Sequence, residues 1–269
     1  MPAEQDGSGR ADEVHNDLDG NARMPDRGPR YTETPPDPYA PGAPPVAEPW
    51  NAVTATLFIV VVGVWAWRLR GRYRDYPFLC CCLPILFAGG VGGTLYHATR
   101  ASPLFLALDV IPITLLGLAG SVFMAVRYWG GRGWWFLPAV SAFYLVTNRV
   151  FFAALRPANV QLSISLSYAS LAVVVIAPIV LVLWKTRFRY GGWFVAGLVA
   201  FALAMFFRLW DAVAGPYLPM GSHWLWHTFG AVTTALVMEY FYLVEGERVK
   251  AADPTPELRP PVGTAAAAE

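Results

Sequence analysis

The feature that most constrains this chain is a series of long, nearly uncharged apolar stretches between Trp50 and Val244, separated by short polar connections. Seven can be drawn, at about 50–67, 77–97, 104–126, 134–153, 160–184, 191–214 and 223–244, each near the ~20 residues that cross a hydrocarbon core of about 30 Å. Hydrocarbon offers no partner to a backbone N–H or C=O, and the runs lack strand alternation, so they are expected to be helices. Charged residues make up only 14% of the chain, against roughly 25% in a soluble domain. The expected fold is therefore all-α, a seven-transmembrane bundle over residues 48–244. It is flanked by a disordered acidic tail, 1–47, and a second disordered tail, 245–269. The first tail is rich in Pro, Gly, Asp and Glu, a composition that buries too little apolar surface to order itself. It shows no signal-peptide pattern.

Charge distribution gives the orientation. Arg68, Arg70, Arg72 and Arg74 follow the first run, Arg127 and Arg132 the third, and Lys185, Arg187 and Arg189 the fifth. The alternate connections hold only Arg100, then Arg149 and Arg156, then nothing basic between Asp211 and His223. Basic residues stay in the cytoplasm, so the N-terminus is expected outside and the C-terminus inside. The arginine-rich composition, and not the charge rule, suggests the plasma membrane of a prokaryote as the location. A net charge of +1 gives no reason to expect a nucleic-acid partner. Cys80, Cys81 and Cys82 are consecutive near the cytoplasmic end of the second run, where packing is the first reading and palmitoylation the second.

Ionisable side chains inside membrane helices are costly, and each is a candidate functional group. Of four histidines, three lie in or at the ends of runs. His223 and His227 are four apart and share a helix face, a common metal-binding spacing that needs a third ligand from elsewhere. His97, at the outer end of the second run, is the candidate to complete it. Asp109 lies at similar depth between Leu108 and Val110, either orienting an imidazole or acting as a base on metal-bound water. Asp211 and Arg208 read first as a structural ion pair and second as part of the site wall. Glu239, about 18 Å beyond His227 along a helix, belongs to the inner interface. The glycines of 88–93 read as helix packing.

Taken in order, these pieces resemble the alkaline ceramidases, within the seven-span hydrolase superfamily that includes the progestin and adiponectin receptors. Glu48-Pro49-Trp50-Asn51-Ala52-Val53-Thr54 is similar to the family's Glu-x-Trp-Asn-Thr-x-Ser opening. Gly92 to Thr99 resembles its second-helix Phe-His-x-Thr-Leu motif, and His223-Trp224-Leu225-Trp226-His227 matches His-x-x-Trp-His. The resemblance implies zinc on His97, His223 and His227, water as the fourth ligand, and Asp109 in contact with that water. It implies a lipid substrate drawn from the bilayer, ceramide or another N-acyl lipid, cleaved at its amide to a fatty acid and an amine. It also implies a calcium ion at Glu48, with Glu33 and Asp37 as the nearest partners. Where the family commonly has a serine four residues before the second-helix histidine, this chain has Gly93, with Thr94 next as the candidate hydroxyl. The alternative function is a lipid-responsive receptor with a structural zinc, or a weakened hydrolase.

Overall fold

The structure, a computed structural model, describes residues 26, 28–155 and 160–252; their regular elements are helices, joined by turns and irregular segments, with no strand among the described residues. Five segments among them are helical, long and apolar enough to cross a membrane: Pro49–Arg68, Pro77–Thr99, Pro103–Leu155, Leu162–Lys185 and Gly191–Ala214. Large apolar side chains such as Val60, Leu145, Val199 and Val213 stand exposed on their outer faces, as suits a chain dissolved in lipid.

The first segment comprises α1 (Pro49–Ala55) and α2 (Leu57–Arg68), joined at Thr56. The Thr56 hydroxyl donates to the Val53 carbonyl at 2.6 Å, the kind of back-bond that bends a helix. Helix α3 (Pro77–Thr99) opens with proline in its first turn and holds Pro84 inside. Helix α4 (Pro103–Trp129) opens the same way behind Ser102, whose Oγ accepts from Leu104 N at 3.2 Å. The 53-residue run Pro103–Leu155 is a folded-back pair rather than one helix. After Gly130, whose φ of +65° suits glycine, the 3₁₀ turn Gly130–Trp135 reverses the chain into α5 (Phe136–Leu155). Gly133 presses on α4 so closely that a Cβ would lie 2.4 Å from the Val126 backbone. Thr114 and Tyr144, on either side of the reversal, meet at 3.3 Å between hydroxyls.

Helices α6 (Val160–Lys185), α7 (Gly191–Ala214) and α8 (His223–Ala252) complete the fold. Helix α8 is not among the five apolar segments, because it begins with two histidines and carries Glu239, Glu245 and Glu247 along its second half. Most of the buried core gathers away from the histidines, around Trp65, Leu79, Met124, Ile179, Phe194 and Phe241. A smaller cluster of Tyr168, Ala204 and Trp226 lies nearer to them.

The basic end of the bundle is laced to α8. Arg68 forms a two-pronged pair with Glu239, one prong at 2.8 Å, and Glu247 receives Arg127 at 2.6 Å and Arg189 at 2.9 Å. Glu245 is buried and accepts from Phe78 N at 2.8 Å and Leu79 N at 3.3 Å, capping α3 from another helix. Glu239 thus sits where the arginines are, as its distance from His227 predicts.

One expectation is revised. Asp26 and residues 28–47, assigned above to a disordered tail, fold against the other end of the bundle. Composition understates their order because their partners are remote: Thr32 N donates to Asp211 Oδ2 at 3.0 Å, and Ala47 N to Ala98 O at 2.9 Å. Residues 1–25, 27 and 253–269, and with them most of both tail assignments, lie outside the described residues.

Candidate metal centre

At the end of the bundle where α1 and α8 begin and α3 ends, three histidines converge. His97 comes from the last turn of α3, His223 opens α8, and His227 follows one turn on, so the four-residue spacing puts the latter two on one face. The rings are 4.7–5.4 Å apart between centroids. One ring nitrogen from each lies within 4.8 Å of the other two, and all three residues are buried. His97 Nε2, His223 Nδ1 and His227 Nε2 have no hydrogen-bond partner. Three convergent, unpartnered imidazole nitrogens inside a protein are a donor set that a metal ion fits, since buried polar atoms otherwise find partners.

What fixes each histidine is visible. His97 Nδ1 lies 2.5 Å from Glu48 Oε2; a carboxylate only accepts, so the proton is on Nδ1 and the lone pair of Nε2 faces inward. Asp211, at the far end of α7, accepts from Ser222 N at 2.7 Å and His223 N at 2.9 Å. It thereby caps α8 from a neighbouring helix and sets the position of His223. The carboxylate expected to pair with Arg208 is thus engaged by backbone amides, and the Arg208 guanidinium lies over the Tyr168 and Trp226 rings at 5.3 and 5.2 Å.

The segment before α1 roofs this centre. Tyr31 stacks on His223 with ring centroids 3.7 Å apart, and the two rings are nearly parallel. Burial pushes its phenol up to about 12, so it keeps its proton at physiological pH. Thr32 Oγ1 donates to Asp211 O at 2.5 Å, tying the roof to the same carboxylate-bearing residue that caps α8. Glu33, whose carboxyl burial raises from its ordinary value, accepts from Trp50 N at 2.6 Å and Asn51 N at 2.9 Å at the start of α1.

Glu48 is buried and surrounded. Besides His97, its oxygens accept from Thr34 Oγ1 at 2.5 Å, Arg100 at 2.9 Å and Asn51 Nδ2 at 3.2 Å. Two partners on each oxygen use the acceptor positions of a carboxylate. The calcium expected at Glu48 therefore has no free oxygen there, and its expected partners are engaged elsewhere, Glu33 at the start of α1 and Asp37 on Tyr39 N at 2.8 Å. The positive charge beside Glu48 is the Arg100 guanidinium.

Asp109 lies outside the histidine group, against Gly93, which is one turn before His97 on α3. Its Oδ1 fills the space next to Gly93, where a Cβ would lie 2.5 Å away. A cavity of about 260 Å³ runs from Asp109 and Trp226 to Leu79 and Phe241, and among the described residues Asp109 is the one ionisable carboxyl lining it. Trp226 and Phe241 are fifteen residues apart on α8, about 22 Å along its axis, so the cavity is long as well as apolar. Gly89, Gly90, Gly117, Gly120, Gly197 and Gly230 leave it room. Thr94 does not join the site, because its hydroxyl donates to Gly90 O at 2.7 Å within its own helix.

Sequence reasoning missed the roof residues Asp26, Tyr31 and Thr34, and the role of Arg100. A signal for Arg100 existed: it is the lone basic residue in a connection on the side where the charge asymmetry leaves few. No family model matches this chain, and neither a curated protein nor a solved structure matches it.

Proposed function

We propose that this protein is a seven-span, zinc-dependent hydrolase that cleaves the amide of ceramide or a related N-acyl lipid drawn from the bilayer. The observation that carries the reading is the adjacency of three unpartnered histidine nitrogens, a carboxylate, and a long apolar cavity that the carboxylate lines. Zinc bound by His97, His223 and His227 supplies a Lewis acid that polarises the amide carbonyl and acidifies water. The cavity takes the acyl chain and sets the amide near Asp109. Asp109 accepts a proton from the attacking water and returns it to the leaving nitrogen as the C–N bond breaks, giving a carboxylic acid and an amine. The roof excludes bulk water, which strengthens each of these interactions.

The seven-span count adds two crossings to the five apolar segments: the second arm of the Pro103–Leu155 pair, and α8 with its polar residues turned to partners. Arginines and lysines at the end away from the histidines support an external N-terminus and, with it, a site in the outer half of the bilayer. With Cys80, Cys81 and Cys82 replaced, an impermeant thiol reagent on intact cells labels Pro41→Cys and spares Arg74→Cys; the reverse pattern overturns this orientation.

The activity is tested by incubating purified protein with a panel of N-acyl lipids, with and without chelator, and identifying products by mass spectrometry. Chelator-sensitive release of fatty acid and amine is the expected result. Full zinc with no cleavage of any lipid in the panel ends the hydrolase reading and favours the receptor.

A further inference from the structure

We infer that Arg100 is a positioning residue of the metal centre, a cation built into the chain that fixes Glu48 against His97 and joins the roof to the site. The inference rests on the metal-binding part of the proposed function and not on amide hydrolysis.

Arg100 follows α3 directly, in the left-handed conformation at φ +51°, with its N–H on Tyr96 O at 2.8 Å. That turn is unusual for a residue with a side chain and places the guanidinium inside the protein, where the residue has no exposed surface. Its nitrogens serve three groups: Asp26, with Nε 2.6 Å from Oδ2, Pro29 O at 2.9 Å, and Glu48 Oε1 at 2.9 Å. The guanidinium also lies over the Tyr96 ring at 4.6 Å, and the Arg100 carbonyl accepts from the Tyr39 hydroxyl. Asp26, Pro29 and Tyr39 belong to the roof, and Glu48 to the histidine centre, so one side chain ties the two together.

Charge makes the connection necessary. Asp26 and Glu48 are both fully buried, and a buried carboxylate without a partner is strongly unfavourable. Arg100 matches one of the two negative charges, and the other would be matched by a cation held on His97, which Glu48 Oε2 meets at Nδ1. The planar fork of arginine holds Glu48 Oε1 in direction as well as in charge, which leaves Oε2 aimed at His97 Nδ1. Without it, the acceptor that fixes the His97 ring loses its charged anchor.

Partners of metal-bound histidines typically contribute 10- to 100-fold to metal affinity, and Arg100 acts through such a partner. The test measures zinc affinity of the purified full chain by competition with a chromophoric chelator. Arg100→Gln is expected to weaken zinc binding about 10- to 100-fold, and Arg100→Lys, which keeps the charge but loses the fork, about 10-fold or less. Asp37→Ala removes an exposed turn bond to Tyr39 N, remote from the histidines, and is expected to leave affinity within about twofold. Should Arg100→Gln fold poorly, the double variant Glu48→Gln/Arg100→Gln, which removes both charges, is compared with Glu48→Gln. Because Arg100 works through Glu48, the second change adds little to the first. Arg100→Gln protein that binds zinc as tightly as the wild type, or full additivity in the double variant, overturns the inference. A wild type that takes up no zinc overturns the metal reading as well.

Discussion

The two ends of the bundle handle charge in opposite ways. At the basic end the pairs stand partly in solvent: the Arg68 side chain is 38% exposed and that of Arg189 60%, facing Glu239 and Glu247. At the histidine end Asp26, Glu48 and Arg100 have no exposed surface at all. Exposed pairs contribute about 0–1 kcal/mol and are screened by salt, whereas a buried charge that loses its partner becomes a large local penalty. The first end is therefore tolerant and anchors the helices. The second tolerates little, because the charges beside the three histidines are fully buried and depend on one another.

The contrast breaks or sharpens at four substitutions besides those at Arg100. His227→Ala has the largest effect expected, taking zinc from about one ion per chain to nearly none by elemental analysis, since two imidazoles do not complete a site of this type. Retention of a full zinc complement would remove the metal centre and the contrast with it. Asp109→Asn keeps size and zinc but cannot accept a proton, so turnover on an N-acyl lipid falls about 100- to 10,000-fold. Parallel loss of zinc would make Asp109 part of the metal's coordination instead.

Gly93→Ser comes next. It introduces the hydroxyl that the ceramidase resemblance would put at this position, yet its Cβ would stand 2.5 Å from Asp109 Oδ1. Displacement of a reacting group by about 1 Å costs on the order of 100-fold, so the serine should lower turnover. A more active Gly93→Ser protein would mean that Asp109 has room to move and that the end is looser than described. The smallest effect belongs to the basic end: Arg68→Ala should cost no more than about 1 kcal/mol in unfolding stability and leave zinc affinity unchanged. A zinc defect in that variant would show that the two ends are coupled through α8.

Much of this was legible in the sequence for physical reasons. Backbone hydrogen bonding in lipid makes long apolar runs helical, and a four-residue spacing makes His223 and His227 neighbours. Alternation of helix direction brings His97 to the same end, as the structure finds. Less legible were features that depend on remote pairing. The segment before α1 has the composition of a disordered tail, yet Asp26 and Thr32 are held by residues 74 and 179 positions away. Composition does not record that. Calcium at Glu48 is implied by the resemblance alone, and the guanidinium that lies there in the structure comes from Arg100 in the loop after α3, a remote pairing that the sequence does not display. Thr94 failed for a local reason, since a threonine in a helix has a carbonyl four residues back within reach of its hydroxyl.

The histidine centre draws on both extremities of the described chain, from Asp26 through Glu48 and His97 to Asp211 and His227. A ribosome releases these pieces in order, and the last donor emerges only after every other helix has been made. A chain interrupted between Arg100 and α8 carries Glu48 and Arg100 but only one of the three histidines, His97. The three imidazole donors can therefore meet only once α8 has been made and has packed beside α3.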